Sequence, residues 1–187
     1  MTRPTDDDYS TPPEAVRALL SVEGFGGAIW EPCAGRGVLA DALREKHRDP
    51  VYATTLRRDH GRGNAMAGIV GGVDFLKTDV KLGRNVVTNP PYFNAELIIR
   101  RAVHFCPVKI AMLLNIKFWA GAARSVGLWR DFPPVRVHVF ADRVTMYPAS
   151  YDGPKGTTTE NHAWYIWEWP YHPVPPTLHH LNSRDFR

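Results

Sequence analysis

Two stretches carry residues whose types and spacing could do chemistry. In Asn89-Pro90-Pro91-Tyr92 the paired prolines stiffen the chain, because each fixes its own φ and restricts the residue before it. The Asn89 amide and the Pro90 carbonyl then become preset acceptors, with the Tyr92 ring beside them. Two acceptors and an aromatic face suit a planar ring carrying an exocyclic amine. The same four residues also fit a plain strand-to-helix turn with an asparagine N-cap. The second stretch, Glu31-Pro32-Cys33-Ala34-Gly35-Arg36-Gly37, is a tight loop whose glycines let a ligand approach the backbone closely.

The remaining candidates carry less. The eight histidines are scattered, and His179-His180 is too short a cluster to define a metal site, so no metal is expected. Cys33 stands where the loop needs a small residue and reads as packing rather than a nucleophile. Cys106 reads as core. Trp164, Tyr165, Trp167 and Trp169 read as strand and core rather than as a platform for bases. Lys117, at the end of a strand, and Lys155, in a Gly/Thr loop, are candidate phosphate contacts.

These residues need elements to hold them. Residues 1–10 read as an extended arm. Thr11-Pro12-Pro13-Glu14 predicts a helix start, with Thr11 as N-cap, proline in the first turn and Glu14 completing a capping box. Ala15, Val16, Leu19 and Leu20 recur at helical spacing. Ala28-Ile29-Trp30 reads as a buried strand, the glycine loop follows, and Val38, Leu39, Ala42 and Leu43 predict the next helix. Val51 to Thr55 is a strand, 57–72 a Gly- and Arg-rich loop, and Val73 to Leu76 a short strand end. Asn85 to Thr88 is a buried strand that delivers Asn89 to its carboxyl end, where open α/β sheets bind ligands. Helix 94–105, strand 109–114, helix 119–130, and strands 136–140 and 163–169 complete the pattern, and the Pro- and His-rich tail 170–187 reads as irregular. The expected fold class is α/β: a Rossmann-like, doubly wound, mostly parallel sheet with an antiparallel edge hairpin from the two late strands, in one domain spanning 1–187.

Composition sets outer limits. With 187 residues, 44% apolar and 22% charged, the chain is long enough for a full core. A net charge of +4 permits a polyanionic partner without requiring one. The polar, acidic start is no signal peptide, and no apolar run nears the ~20 residues a membrane helix needs. Two cysteines give no disulfide framework, so the cytoplasm is the expected compartment. Gly35-Arg36-Gly37-Val38-Leu39-Ala40 fits the loose dinucleotide pattern. The acid expected about 20 positions on is missing, because Ala53, Thr54 and Thr55 stand there and Asp59 is the nearest.

The order of the motifs is more specific. A Tyr9-Ser10-Thr11-Pro12 arm, the Glu31–Gly37 loop, Asp74-Phe75-Leu76 and Asn89-Pro90-Pro91-Tyr92 together resemble the S-adenosylmethionine-dependent amino-methyltransferases, above all the N6-adenine DNA methyltransferase family and its small phage or prophage members. The resemblance spans roughly residues 8–169. It implies a class I methyltransferase fold, S-adenosylmethionine as cofactor, DNA as partner with RNA as an alternative, and the host cytoplasm for a phage-encoded member. It also implies roles. Tyr9, Thr11 and Pro12 flank the methionine end of the cofactor; Glu31, Ala34, Gly35 and Gly37 shape its pocket; Asp74 bonds its adenine amine and Phe75 packs on that ring. Asn89 and Pro90, stiffened by Pro91, hold the target amine, and Tyr92 stacks on the target base. Two positions depart from the pattern: Thr54 or Thr55 stands where an acid usually binds the cofactor ribose, and Arg36 where the loop often has an acid. Enzymes on RNA adenine, cytosine N4 or a protein glutamine amide share the motif, and a non-catalytic binding remnant is the reading from another class. The 187 residues leave little room for a dedicated target-recognition domain, so sequence recognition is expected from loops 57–72 and 147–160 or from a partner subunit.

Overall fold

The computed structural model describes residues 9–58, 68–105, 108–148, 160–172 and 174–186, and the apolar runs of the sequence become the centre of one sheet. In chain order the elements are β1 (Tyr9–Ser10), α1 (Pro13–Val22), β2 (Ile29–Glu31), α2 (Val38–Arg44), β3 (Val51–Thr55), β4 (Ile69–Gly71), β5 (Asn85–Thr88), α3 (Ala95–His104), β6 (Lys109–Asn115), α4 (Ala122–Val126), α5 (Leu128–Asp131), β7 (Arg136–Phe140), β8 (Tyr147–Pro148), β9 (His162–Glu168) and β10 (Thr177–Leu181). Short 3-10 turns follow β5 (Tyr92–Asn94), β6 (Ile116–Trp119) and β10 (Arg184–Phe186). Eight strands form one sheet in the order β10-β7-β9-β6-β5-β2-β3-β4, and β1 pairs with β8 in a separate ribbon. Within the large sheet every pairing is parallel except those of β9, which runs antiparallel to both β6 and β7. This is the doubly wound, mostly parallel sheet the sequence predicts, with β7 and β9 as its antiparallel pair.

Period-two alternation sorts side chains between two cores. Ile29, Val87, Ala111, Leu113, Trp164 and Ile166 face α1 and α2 on one side. Trp30, Val86, Ile110, Met112, Leu114, Tyr165 and Trp167 face α3 and α5 on the other. Both faces of β9 are therefore buried, which is why its sequence runs Ala-Trp-Tyr-Ile-Trp without a polar break. The buried indoles are satisfied: Trp30 Nε1 donates to Thr54 Oγ1 at 3.0 Å, and Trp164 Nε1 donates to the Ala15 carbonyl at 3.0 Å.

Three local expectations fail. The tail is not wholly irregular, because Thr177–Leu181 adds to the open edge of β7 as a parallel strand. Main-chain pairing does not need an apolar pattern, and four of its five side chains are exposed. In the segment 57–72, Ile69–Gly71 pairs with β3 as β4, whereas Val73 to Leu76 is a turn closed by bonds from the Lys77 and Thr78 amides to the Asp74 carbonyl. The capping box does not form: Pro12 is the N-cap of α1, with no side-chain cap bond. Thr11 is used elsewhere.

At the amino ends of β6 and β7 the fold buries a charge network. Glu23, the residue that ends α1, accepts from Lys109 Nζ at 2.7 Å, Arg136 Nε at 2.7 Å and His138 Nε2 at 2.9 Å. Glu168 bonds Arg136 at 2.6 Å and lies 3.3 Å from Lys109. Burial pushes the Glu23 carboxyl up, but the bonds from His138, Arg136 and Lys109 outweigh it and hold it far below its ordinary range. A carboxyl depressed in the fold contributes stability above its unfolded value near 4.5, and that contribution is lost as pH falls further. Glu23→Ala removes the buried carboxylate that Lys109, Arg136 and His138 share, leaving the two cations only the half-exposed Glu168, and is expected to cost about 3 kcal/mol in urea unfolding at pH 7. Glu45→Ala, which breaks the exposed pair with Arg17, costs under about 1 kcal/mol. The gap between the two variants narrows below pH 4.5; equal losses at pH 7 would count against the network.

Candidate active site

The carboxyl ends of β2, β3 and β5 open onto a cleft of about 220 Å³. That is a little under the roughly 300–1,000 Å³ of small-molecule sites, as suits a cleft open to solvent on one side. Its floor is the glycine loop. Gly35 and Gly37 hold φ of 51° and 87°, which fold Glu31–Gly37 back toward α2 as a side chain there would resist. Tyr9, Thr11, Glu31, Ala34 and Gly35 line it, with Asn89 and Pro91 on the β5 side. Cys33 lines it too, and burial first of all pushes its thiol up to about 12, which removes thiolate chemistry at neutral pH.

Asn89 joins two depressions. Besides the cleft it lines a shallow crevice of about 10 Å³ whose other walls are Tyr9, Pro90 and Tyr92. Its Nδ2 donates to Thr11 Oγ1 at 3.2 Å and to Met146 Sδ at 3.5 Å. Both amide protons are thus used inside the protein, which fixes the amide's orientation and leaves Oδ1 as an acceptor. Tyr92 is propped from behind by His162, with ring centroids 6.3 Å apart and planes 33° from each other. His162 is buried, and burial holds its pKa below the ordinary value against the pull of Glu160 and the Val144 backbone, so the ring is neutral near pH 7.

Other sequence candidates lie elsewhere. Phe75 is buried against Trp30 and Phe105, at 4.9 and 5.7 Å between centroids, because the turn after β4 drives it into the core. Asp74 accepts from the Leu76 amide at 3.0 Å and pairs with Lys77 at 3.3 Å. Neither reaches the cleft. Thr55 is buried, and its hydroxyl accepts from the Arg57 amide at 3.4 Å. Pro12 and Gly37 serve as the N-caps of α1 and α2. Lys117 pairs with Glu160 at 2.9 Å rather than standing ready for phosphate. Lys155 and Cys106 lie outside the described residues, as do 59–67 and 149–159 of the proposed recognition loops. The sequence reading missed Leu56 and Phe93, which line the cleft while 66% and 70% exposed. An apolar residue directly after a strand end and an aromatic directly after Tyr92 were the available signals.

No protein-family model and no curated protein matches the sequence. Solved structures do match in fold. A Vibrio vulnificus protein assigned as the modification subunit of a type I restriction enzyme superposes with a TM-score of 0.59 at 13% identity, over 95% of this chain and 48% of that one. The chain therefore spans about half the length of that protein. A Pyrococcus horikoshii protein assigned as an RNA methyltransferase gives 0.58 at 15% identity, over 84% of both chains. A 16S rRNA N2 methyltransferase from T. thermophilus, solved with AdoMet and guanosine, gives 0.53 at 14% identity, over 92% of this chain and 43% of that one. At these identities the shared property is the Rossmann-like methyltransferase fold.

Glu31 is the least comfortable group in the cleft. It is 2% exposed, and its Oε2 has no hydrogen-bond partner among the described residues. Burial, only partly countered by Arg44 and the Ala40 backbone, pushes its carboxyl up to about 8. The folded protein therefore binds a proton here that the unfolded chain releases near 4.5, so stability falls as pH rises from 4.5 to 8. Glu31→Gln cannot ionise. Without ligand, its Tm advantage over wild type should grow across that interval and level off above it. Parallel Tm curves for the two proteins would show that Glu31 is not held protonated.

Proposed function

We propose that the chain is an S-adenosylmethionine-dependent methyltransferase acting on the exocyclic N6 amine of adenine in DNA. The observation that carries this reading is Asn89. Its amide is locked by Thr11 and Met146 with the acceptor oxygen spare, where the cleft at the strand ends meets a crevice walled by Tyr9, Pro90 and Tyr92. The fold shared with methyltransferases is consistent with it.

The cleft's residues fit that cofactor. The unpartnered Glu31 oxygen suits a cationic group, the positive-φ glycines leave backbone exposed to a ligand, and Leu56 and Phe93 offer apolar surface to a flat ring. Bound there, S-adenosylmethionine supplies an electrophilic methyl group. The protein's own task is to prepare the acceptor. An aryl amine is a poor nucleophile because its lone pair is delocalised into the ring. Asn89 Oδ1 and the Pro90 carbonyl accept its two N–H groups, draw the nitrogen toward a tetrahedral shape, and stabilise the positive charge that grows on it. Tyr92 stacks on the ring and offsets part of the cost of taking a base out of a duplex, a few kcal/mol. No covalent enzyme intermediate is required, since alignment and fixed dipoles suffice.

A second reading rests on β3. With Thr54 engaged by Trp30 and Thr55 by its own backbone, no carboxylate from this strand meets a ribose, as expected of a binding remnant. Calorimetry separates the two: no measurable S-adenosylmethionine binding favours the remnant. For the first reading, purified protein with labelled cofactor transfers methyl to DNA adenine. Asn89→Ala lowers kcat by at least about 10²-fold while its thermal melt stays cooperative. Transfer to RNA adenine, cytosine N4 or a glutamine peptide in preference to DNA adenine would reassign the substrate, and undiminished transfer by the variant would remove Asn89 from the mechanism.

A further inference from the structure

We propose that His138 and His179 form a two-ligand site for a divalent transition ion, zinc above all, which clips the tail strand β10 to β7. The site lies apart from the cleft and does not depend on the methyltransferase reading. It exists because Thr177–Leu181 adds to β7. In that parallel register His179 is the direct cross-strand partner of His138. The two rings are 5.3 Å apart between centroids.

Each ring is bonded through Nε2, which leaves Nδ1. His138 Nε2 lies 2.9 Å from Glu23 Oε1 and donates to it, since an ionised carboxylate can only accept. In the neutral ring that fixes the tautomer and makes Nδ1 a lone pair. The His138 side chain is 6% exposed, and its Nδ1 is buried with no partner among the described residues. A buried acceptor left unmet is costly. His179 Nε2 lies 2.9 Å from Thr177 Oγ1, so its Nδ1 is the nitrogen left over. A histidine held by a carboxylate on one nitrogen, with the other free, is the arrangement that orients metal-ligating imidazoles. Zinc bonds an imidazole nitrogen at about 2.0–2.1 Å and the ring centre lies roughly 1 Å beyond, so two rings on one tetrahedral ion sit about 5 Å apart. The spacing of these rings matches that distance. Lys109 and Arg136 do not repel the ion, because Glu23 and Glu168 neutralise them. Among the described residues no third His, Cys, Asp or Glu completes the set, so water fills the remaining positions. The ion has a task here. Four of the five β10 side chains are exposed, and a ligand that binds only the paired strand stabilises it in proportion to its concentration.

The test uses the full chain, stripped with a chelator, and zinc chloride at pH 7. Zinc should raise Tm with concentration and slow amide exchange across Thr177–Leu181. In NMR spectra it should shift the ring nitrogens of His138 and His179 together. His179→Ala changes an exposed side chain, so its zinc-free Tm should stay close to wild type. Its zinc affinity by calorimetry should fall at least about tenfold, the loss that even an outer-shell contact causes. His180→Ala, on the opposite face of β10, should bind zinc like wild type. His138→Gln should weaken binding as His179→Ala does. If that variant melts without cooperativity, the wild-type ring shifts alone decide the role of His138. The proposal is overturned if zinc leaves the wild-type Tm unchanged, or if His179→Ala binds zinc undiminished. It is equally overturned if zinc leaves the His138 ring nitrogens unmoved, or if His180→Ala is the variant that loses the ion.

Discussion

One amide organises the working end of this molecule. Asn89 leaves the sheet at the end of β5 and spends both protons on Thr11 Oγ1 and Met146 Sδ. A half-buried amide with unmet donors would cost on the order of 1–3 kcal/mol. The same bonds tie three distant segments, the arm, the β5 turn and the stretch before β8, into one wall. The two prolines after Asn89 lower the entropy lost in holding that geometry. The arm has little else to hold it, since β1 pairs over only two residues. Thr11 thus does more at this wall than it would as a helix cap, which explains why α1 begins without a side-chain cap.

The two ends of the sheet handle buried charge in opposite ways. At the amino ends of β6 and β7, Glu23 is surrounded by Lys109, Arg136 and His138, and its carboxylate is satisfied. At the carboxyl end of β2, Glu31 is just as buried and lacks a partner for one oxygen. The first arrangement stabilises a fold. The second destabilises it unless a ligand completes it, the usual pattern of a binding site maintained at some expense to stability. Glu31 is also the acid of the glycine loop itself, whose Arg36 stands exposed at the cleft. At neutral pH, without ligand, a protonated acid therefore lies deep in the cleft and a cation stands exposed at its edge.

Legibility in the sequence tracked burial. Strands covered on both faces, β5, β6 and β9, were readable as apolar runs because their surroundings demanded it. Strands β4 and β10 were not, since each lies at an edge of the sheet, where main-chain pairing alone holds a short strand and leaves no pattern. The motif Asn89–Tyr92 and the glycine loop were legible because their geometry is local: prolines and glycines encode it within a few residues. The roles of Asp74 and Phe75 were not, because they depended on how the turn after β4 faces, and Trp30 and Phe105 settle that from other parts of the chain. The capping box failed for a related reason. Thr11 had two possible partners, and the one 78 positions away won.

The strand end at β3 sets the chemistry that the cleft lacks. A carboxylate there would accept ribose hydroxyls, and a hydrogen bond to a charged group contributes about 1.5–3 kcal/mol. Thr54 is committed to Trp30, and Thr55 faces its own backbone, so this chain offers no such acceptor from β3. The next residue is Leu56, exposed and lining the cleft. Recognition of a nucleoside at this position therefore moves from polar to apolar contact. On energetic grounds the missing bond weakens affinity by roughly 10- to 150-fold. Burying an exposed leucine side chain returns about 1.5–3 kcal/mol, which is of the same size. The exchange conserves affinity while relaxing selectivity, because an apolar contact rewards a ring or a hydrocarbon alike, whereas a carboxylate rewards a sugar diol. Discrimination in this cleft must then rest on the groups that remain polar, above all Glu31 and Asn89.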